Sequence, residues 1–244
     1  MARNQYREYY LQLINSRTMS PIDDDTGVYN VYTVSTPAEA TIYSDTNGTS
    51  QANPGTISNG IIRFYTASSV LSVDVSILTA SGHAIFVEAL TSSQHRVLVN
   101  PDEWRNQKLI IGMTLPGVST TIAALVDTGF DLPAHSLTRE AYLHITTVAT
   151  DTDVDLGTST DTDGFLDGID TSATGLLGLV EDLTAGSIGA LLATTTSSAI
   201  RKVYVPANAT SGKSIVWAMT GTATATTAFG YIYIIYDLMP TVGN

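Results

Sequence analysis

Short runs of apolar and β-branched residues that alternate with a period of two constrain this chain more than any other feature of its sequence. Residues 28–34 set the pattern, with Tyr29, Val31 and Thr33 on one face of an extended segment. Similar runs follow with short gaps between them, at residues 61–65, 70–78, 84–90 and 96–99. A period of two places alternate side chains on opposite faces of a strand. Short strands at this close spacing predict an antiparallel β-sandwich.

The second half of the chain has the same character and predicts a second domain. Further strand-like runs lie at residues 136–148, 200–205, 214–219 and 229–236. The runs at 109–115 and 120–126 either finish the first domain or open the second. We place the boundary at the turn signal Pro116-Gly117, which gives domains at residues 21–116 and 117–244. Both are predicted to be all-β sandwiches, Ig-like or jelly-roll-like, and residues 178–193 permit a short helix.

The first twenty residues predict a different element, a short helical arm. The apolar side chains there fall at positions i, i+3, i+4, i+7 and i+8, which is one face of a helix: Tyr6, Tyr9, Tyr10, Leu13 and Ile14. Three arginines make the segment basic within an acidic protein. The helix either packs on its own domain or serves as an anchoring arm that binds a partner through these five residues. The aromatic stripe and the opposite local charge favour the anchoring arm.

The composition excludes several classes of protein. The 244 residues carry a formal net charge of −12, which argues against binding nucleic acid. There is no cysteine, and therefore no disulfide, thiolate metal site or cysteine nucleophile. Only 14% of residues are charged, and the neutral polar surface that results suits packing against neighbouring subunits. With neither a membrane-length apolar run nor the apolar core of a signal peptide, we expect a soluble protein made in a cytoplasm.

No arrangement of residues in the sequence is typical of an active site. The four histidines, at positions 83, 95, 135 and 144, form no close pair and no zinc-binding motif. The segment Gly186-Ser187-Ile188-Gly189 lacks the spacing of a nucleophile elbow, and Gly212-Lys213-Ser214 lacks the upstream glycine of a phosphate loop. We therefore expect a protein without enzymatic activity, catalytic residues or a cofactor.

One dense acidic cluster is the exception among otherwise neutral segments. With Ser159 taken as its first position, the segment 159–170 approaches a calcium loop whose ligands are Asp161, Asp163, Asp167 and Asp170. Serine at the first position and aspartate at the twelfth depart from the pattern. The alternative is a solvated acidic loop with Asx turns.

The run from Tyr231 to Tyr236 is apolar on both faces, which predicts a central strand or one at a subunit contact. If one face lies on the chain's own core, the other presents large side chains to water, which is costly for a monomer. We therefore predict a homo-oligomer, specifically a trimer, formed through the C-terminal domain. The expected interface residues are Tyr231, Tyr233, Ile234 and Ile235.

Two stretches resemble modules of tailed-bacteriophage virion proteins. In the first, a strand ending in tyrosine leads to Asn53-Pro54, then to Asn59-Gly60 and the strand Ile61-Ile62-Arg63-Phe64-Tyr65. This order is similar to a module of tail-fibre, adaptor and head-decoration proteins. The second stretch, residues 156–175 together with Phe229-Gly230-Tyr231-Ile232, is similar to C-terminal β-sandwich domains of small phage proteins that decorate capsids or form head fibres.

The resemblance implies a structural protein located in the virion. Its first implication is a capsid decoration, or cement, protein that binds the major capsid protein and stabilises the head. The alternative is a tail fibre, adaptor or baseplate appendage that takes part in host attachment. A glycan depolymerase would need paired carboxylates in a groove, and the long repetitive β-helix of such enzymes is not visible. Neither module carries catalytic residues, so the resemblance adds none.

Overall fold

A computed structural model describes residues 5–34, 36–92, 94–115, 125–148, 152–178, 203–204, 214–221 and 228–239. Throughout these ranges the chain forms strands, turns and irregular segments without any helix, and hence without a helix that could cross a membrane. The chain divides into two compact units, Met1–Trp104 and Arg105–Asn244. The protein is therefore all-β, as the period-two runs predict.

The described residues of the first unit form ten strands in two sheets. The strands are β1 (Tyr6–Asn15), β2 (Val28–Thr33), β3 (Thr36–Glu39), β4 (Ile42–Tyr43), β5 (Ser50–Gln51), β6 (Gly55–Thr56), β7 (Ile61–Ala67), β8 (Ser72–Leu78), β9 (Ala84–Thr91) and β10 (Gln94–Val99). Sheet A has the order β10-β1-β7-β4-β5, and sheet B has the order β3-β2-β8-β9 with β6 beside β2. Neighbouring strands are antiparallel except β1 and β10, which are parallel.

Both sheets contribute side chains to one buried core. On β1, Leu11 and Leu13 are fully buried, and so is Tyr9, whose ring stacks on Phe64 of β7 at a centroid distance of 5.0 Å. Phe64 in turn stacks on Tyr29 of β2, in sheet B, at 6.0 Å. Aromatic pairs of this kind contribute about 0.5–1.5 kcal/mol beyond the area they bury. The three stacked rings therefore connect the two sheets through the centre of the unit.

The predicted N-terminal helical arm is wrong, because residues 6–15 form β1, an interior strand of sheet A between β10 and β7. The helical pattern passed over Leu11, which is as deeply buried as Tyr9 and Leu13 and lies with them on one face of a strand. A period of two therefore describes the segment better than a period of 3.6. Long hydrogen-bonded pairings with β7 and β10 favour the strand over the helix that the local spacing predicts.

In the module that resembles phage proteins, Asn53, Asn59 and Gly60 have structural roles. The Asn53 side chain donates to the backbone carbonyls of Val31 and Ala40, at 2.8 and 2.9 Å, and accepts from the backbone amide of Val31 at 3.0 Å. Asn59 and Gly60 have φ angles of 50° and 67°, the left-handed values of a tight hairpin turn. At these three positions the module therefore specifies backbone geometry.

The second unit contains nine described strands in two further sheets. They are β11 (Gln107–Leu115), β12 (Val126–Asp131), β13 (Ser136–Thr147), β14 (Thr152–Thr158), β15 (Asp161–Asp170), β16 (Gly175–Leu177), β17 (Val203–Tyr204), β18 (Ser214–Gly221) and β19 (Ala228–Leu238). Sheet C has the order β11-β19-β13-β16 with β17 beside β13, and sheet D has the order β12-β18-β14-β15. Strand β11 lies in this unit, before the boundary that we placed at residues 116–117. Nearly all of the segment that permits a helix, 178–193, lies outside the described residues.

We predict that Asn53→Ala lowers the free energy of unfolding by about 3 kcal/mol, because it leaves the Val31 amide and the Ala40 carbonyl without their partner and removes one of the two donors to the Val31 carbonyl. Urea unfolding of the purified protein measures the change. Asn47→Ala, at an exposed position in a turn, is the control and is expected to change stability by less than about 0.5 kcal/mol. Equal effects of the two substitutions would show that Asn53 does not connect these strands.

Deleting residues 1–20 is predicted to unfold the first unit, because it removes the strand between β7 and β10 and three fully buried core side chains. Circular dichroism and a thermal melt of the truncated chain test this. Tyr10→Ser, a substitution on the other face of the same strand, should leave a cooperative transition. A truncated chain with the melting profile of the full chain would contradict the position of β1.

Candidate interface surfaces

The outer face of sheet C carries large apolar and aromatic side chains. Strand β19 lies between β11 and β13, and its residues alternate strictly in burial. Ile232, Ile234 and Tyr236 are fully buried, and the residues between them are half-buried. Together with neighbours on β11 and β13 these half-buried residues form what we call the aromatic face: Ile110, Tyr142, His144, Tyr231, Tyr233 and Ile235.

Ring contacts organise the aromatic face around Tyr233. Its ring stacks on that of Tyr142 at a centroid distance of 4.9 Å with 10° between the planes, and the ring of Tyr231 lies edge-on at 6.5 Å. The Lys108 ammonium lies 5.0 Å from the centre of the Tyr233 ring, within the range of a cation–π contact. Leu176 on β16, the cross-strand partner of His144, is 52% exposed. The face is therefore an ordered apolar surface with a cationic group at one margin.

Three of the four predicted interface residues, Tyr231, Tyr233 and Ile235, lie together on the aromatic face. The fourth, Ile234, points the other way and is 0% exposed in the chain's own core. The neighbouring Tyr236 lies on that inner face too, and burial raises the pKa of its hydroxyl. Sequence reasoning missed the contributions of Tyr142 and His144, although the alternation of residues 136–148 was the signal for them.

The residues of the predicted arm are divided between the two faces of β1. Tyr9 and Leu13 belong to the core, and Ile14 is almost fully buried. Tyr6 and Tyr10 remain half-buried, so they are the two of the five that a partner can contact. Partner binding through this strand stays a prediction.

The outer face of sheet A carries a second ordered surface, built from tyrosine and arginine. Arg63 forms a salt bridge with Glu8 at 2.7 Å and donates to the Tyr65 hydroxyl at 2.7 Å. The Tyr6 ring meets the ring of Tyr43 edge-on at 4.9 Å. Tyrosine and arginine are enriched at protein–protein contacts, which makes this surface a second candidate for binding a protein partner.

The acidic cluster forms a β-hairpin and not a loop. Residues 161–170 are strand β15, which pairs with β14 through a two-residue turn at 159–160. A calcium loop wraps its ligands around the ion, whereas an extended strand separates them. Throughout the described residues, no group of three histidine, aspartate or glutamate side chains is placed to hold a metal ion. The structure therefore lacks the loop that the calcium prediction requires of Asp161, Asp163, Asp167 and Asp170.

The aspartates of this hairpin affect one another electrostatically. Partial burial raises the pKa of Asp161, and a hydrogen bond with Asp163 and the charge of that residue raise it further. The pKa of Asp167 is raised by burial, then by the charges of Asp163 and Asp155. Asp170 is separate from this group, because hydrogen bonds from Ser172 lower its pKa. Asp163 is therefore the shared source of repulsion in the hairpin.

Comparison with known proteins assigns no family to the chain. No protein-family model matches the sequence, and no curated protein matches it. Among solved structures, a chain of the capsid asymmetric unit of cyanophage Pam1 matches with a TM-score of 0.36 and 14% sequence identity. The match covers 63% of this chain and 100% of that chain. A TM-score this low establishes neither a common fold nor a common function.

We predict that Asp163→Asn raises the free energy of unfolding at pH 7 by about 0.5 kcal/mol, because it removes the charge that faces Asp161 and Asp167. Raised pKa values mean that the folded chain binds these protons more readily than the unfolded chain. Repulsion by Asp163 therefore destabilises the folded chain most at neutral pH. This destabilisation is lost as pH falls through the raised pKa values of Asp161 and Asp167 toward the unfolded value of about 3.9.

Chemical denaturation at pH 7 and at pH 3 measures this effect, and the gain is expected only at pH 7. Asp170→Asn is the matched control and should give no gain, since the hydrogen bonds from Ser172 favour the charged carboxylate. A gain of equal size from both substitutions would mean that general charge reduction, and not repulsion by Asp163, is responsible.

Proposed function

We propose that this chain is a structural protein of a tailed-bacteriophage virion, and specifically a capsid decoration protein that binds and stabilises the head. The observation that carries the proposal is the aromatic face of sheet C, a large apolar surface on a chain with few charges. Such a surface suits a protein that works in contact with other subunits. The resemblance of residues 40–65 and 156–175 to phage virion modules suggests that these other subunits belong to a phage particle.

The hydrogen bonds of the phage-like module support a structural role over an enzymatic one. Asn53 joins two backbone segments, and Asn59-Gly60 forms a hairpin turn, so the residues that carry the resemblance maintain the fold. We propose accordingly that the chain has no catalytic activity. Its contribution to the virion would come from binding energy between subunits.

The finer features of the proposal follow from the sheets and their surfaces. We propose that both units are β-sandwiches of the Ig-like or jelly-roll-like kind, because each contains two sheets with apolar inner faces. We propose further that the chain forms a homotrimer through its second unit and binds the major capsid protein in the virion. Neither nucleic acid nor membrane is among the proposed partners.

A tail component is the second candidate, as a fibre, adaptor or baseplate appendage. The surface of Tyr6, Tyr10, Tyr43 and Arg63 on sheet A favours it, because this composition is typical of surfaces that recognise another protein. The phage-like module occurs in tail proteins as well as in head-decoration proteins. The two candidates differ most in the number of copies that a particle contains.

Copy number in purified particles tests the proposal and separates the two candidates. Quantitative mass spectrometry, calibrated against the major capsid protein, is expected to find hundreds of copies per particle. A dozen copies or fewer would assign the chain to the tail. Particles that contain none of it after complete assembly would contradict a virion role of either kind.

A further inference from the structure

A row of three residues crosses sheet C at the level of Ile235. Lys108 on β11 is the cross-strand partner of Ile235 on one side, and Glu140 on β13 is its partner on the other. Lys108 and Glu140 are exposed, and Ile235 is half-buried. Across the three strands, the row therefore presents a positive charge, then an apolar centre, then a negative charge.

Lys108 and Glu140 of one chain lie on strands that are too far apart for the two side chains to form a close salt bridge. They are separated by two strand spacings, roughly 10 Å. Neither takes part in the ion pairs Arg17–Asp102, Arg63–Glu8 and Arg139–Asp237 of the described part of the chain. The Lys108 ammonium is instead held over the Tyr233 ring, which directs the charge toward the aromatic face.

Rotation about an axis parallel to β19 makes this row complementary to itself. Such a rotation keeps each residue at its level along the strand, and Lys108 and Glu140 share one level. Strands β11 and β13 lie on opposite sides of β19, so rotation brings β11 of one copy next to β13 of another. The positive end of one row then meets the negative end of the next, for a two-fold axis and for a three-fold axis alike.

We infer that copies of this chain associate through the aromatic face about an axis that runs along β19, with Lys108 of one copy opposite Glu140 of the next. The inference rests on the homo-oligomer that we propose as part of the function, and it identifies the residues that set its register. Tyr231, Tyr233 and Ile235 lie nearest the axis in this arrangement and lose their exposure to water.

The apolar and charged parts of this contact have different roles. Burial of aromatic and aliphatic side chains at the centre supplies most of the association energy. Charge pairs at the margin add little affinity but select the relative orientation, because a wrong register brings like charges together. The charged residues can therefore be exchanged between the two ends of the row without loss of the apolar centre.

Sedimentation velocity of the full-length protein from nanomolar to high micromolar concentration tests the contact. Lys108→Glu and Glu140→Lys, each alone, are expected to weaken association by about tenfold or more, since each brings like charges together. The double variant, with both charges reversed, should recover most of the lost association. Ile235→Asp should leave only monomer, whereas Leu98→Asp, on a residue that is 57% exposed on sheet A, should associate like the wild type.

Thermal melts of dilute samples, in which every variant is monomeric, confirm that the substitutions leave the fold intact. A wild-type protein that stays monomeric at the highest concentration would overturn the inference, and so would a double variant no better than the single ones. A monomeric chain still present in particles would overturn this contact and leave the virion role standing. Association in solution by a chain absent from particles would support the contact and contradict the virion role.

Discussion

One constraint governs the structure of the second unit: a central strand with apolar side chains on both faces is stable only when both faces are buried. Strand β19 satisfies the first half of this requirement within its own chain, because Ile232, Ile234 and Tyr236 are fully buried. The residues between them form the middle of the aromatic face, where the chain alone covers them only in part. Hydrophobic burial is the main driving force of association as well as of folding. A partner that buries the aromatic face therefore gains the most binding free energy. The proposed function and the proposed contact both follow from this division of one strand into two faces.

The first unit is built on a comparable constraint with the opposite outcome. Strand β1 pairs on both edges and turns Tyr9, Leu11 and Leu13 into the core. Its other face carries polar and aromatic side chains in a hydrogen-bonded and ion-paired arrangement, which water tolerates. The outer face of this unit therefore exposes mainly polar and charged groups that already pair with one another. The two units thus differ in the outer faces that they expose: that of the second unit is largely apolar, and that of the first is largely polar and charged.

Sequence reasoning predicted the all-β class and most long strands, because period two is clear wherever one face is buried. It failed at β1, where five apolar residues also fit a helical stripe and the decision depended on the burial of Leu11. It failed at residues 161–170 because a spacing of aspartates does not reveal whether the backbone wraps or extends. The outward residues of β19 could be chosen from sequence, but Ile234 could not be assigned to the inner face without the strand's orientation. The row formed with Lys108 and Glu140 needed the pairing register, which joins residues far apart in sequence.

The proposed function and the proposed contact both require that Tyr231, Tyr233 and Ile235 of β19 form a contact surface. Covalent labelling of tyrosine side chains, followed by mass spectrometry over a range of protein concentrations, measures this directly. Tyr231 and Tyr233 are expected to lose most of their labelling as concentration rises, while Tyr43, half-buried on sheet A, keeps a constant level. Labelling of Tyr231 and Tyr233 that stays unchanged while the protein associates would show that the copies meet elsewhere, and would contradict the account.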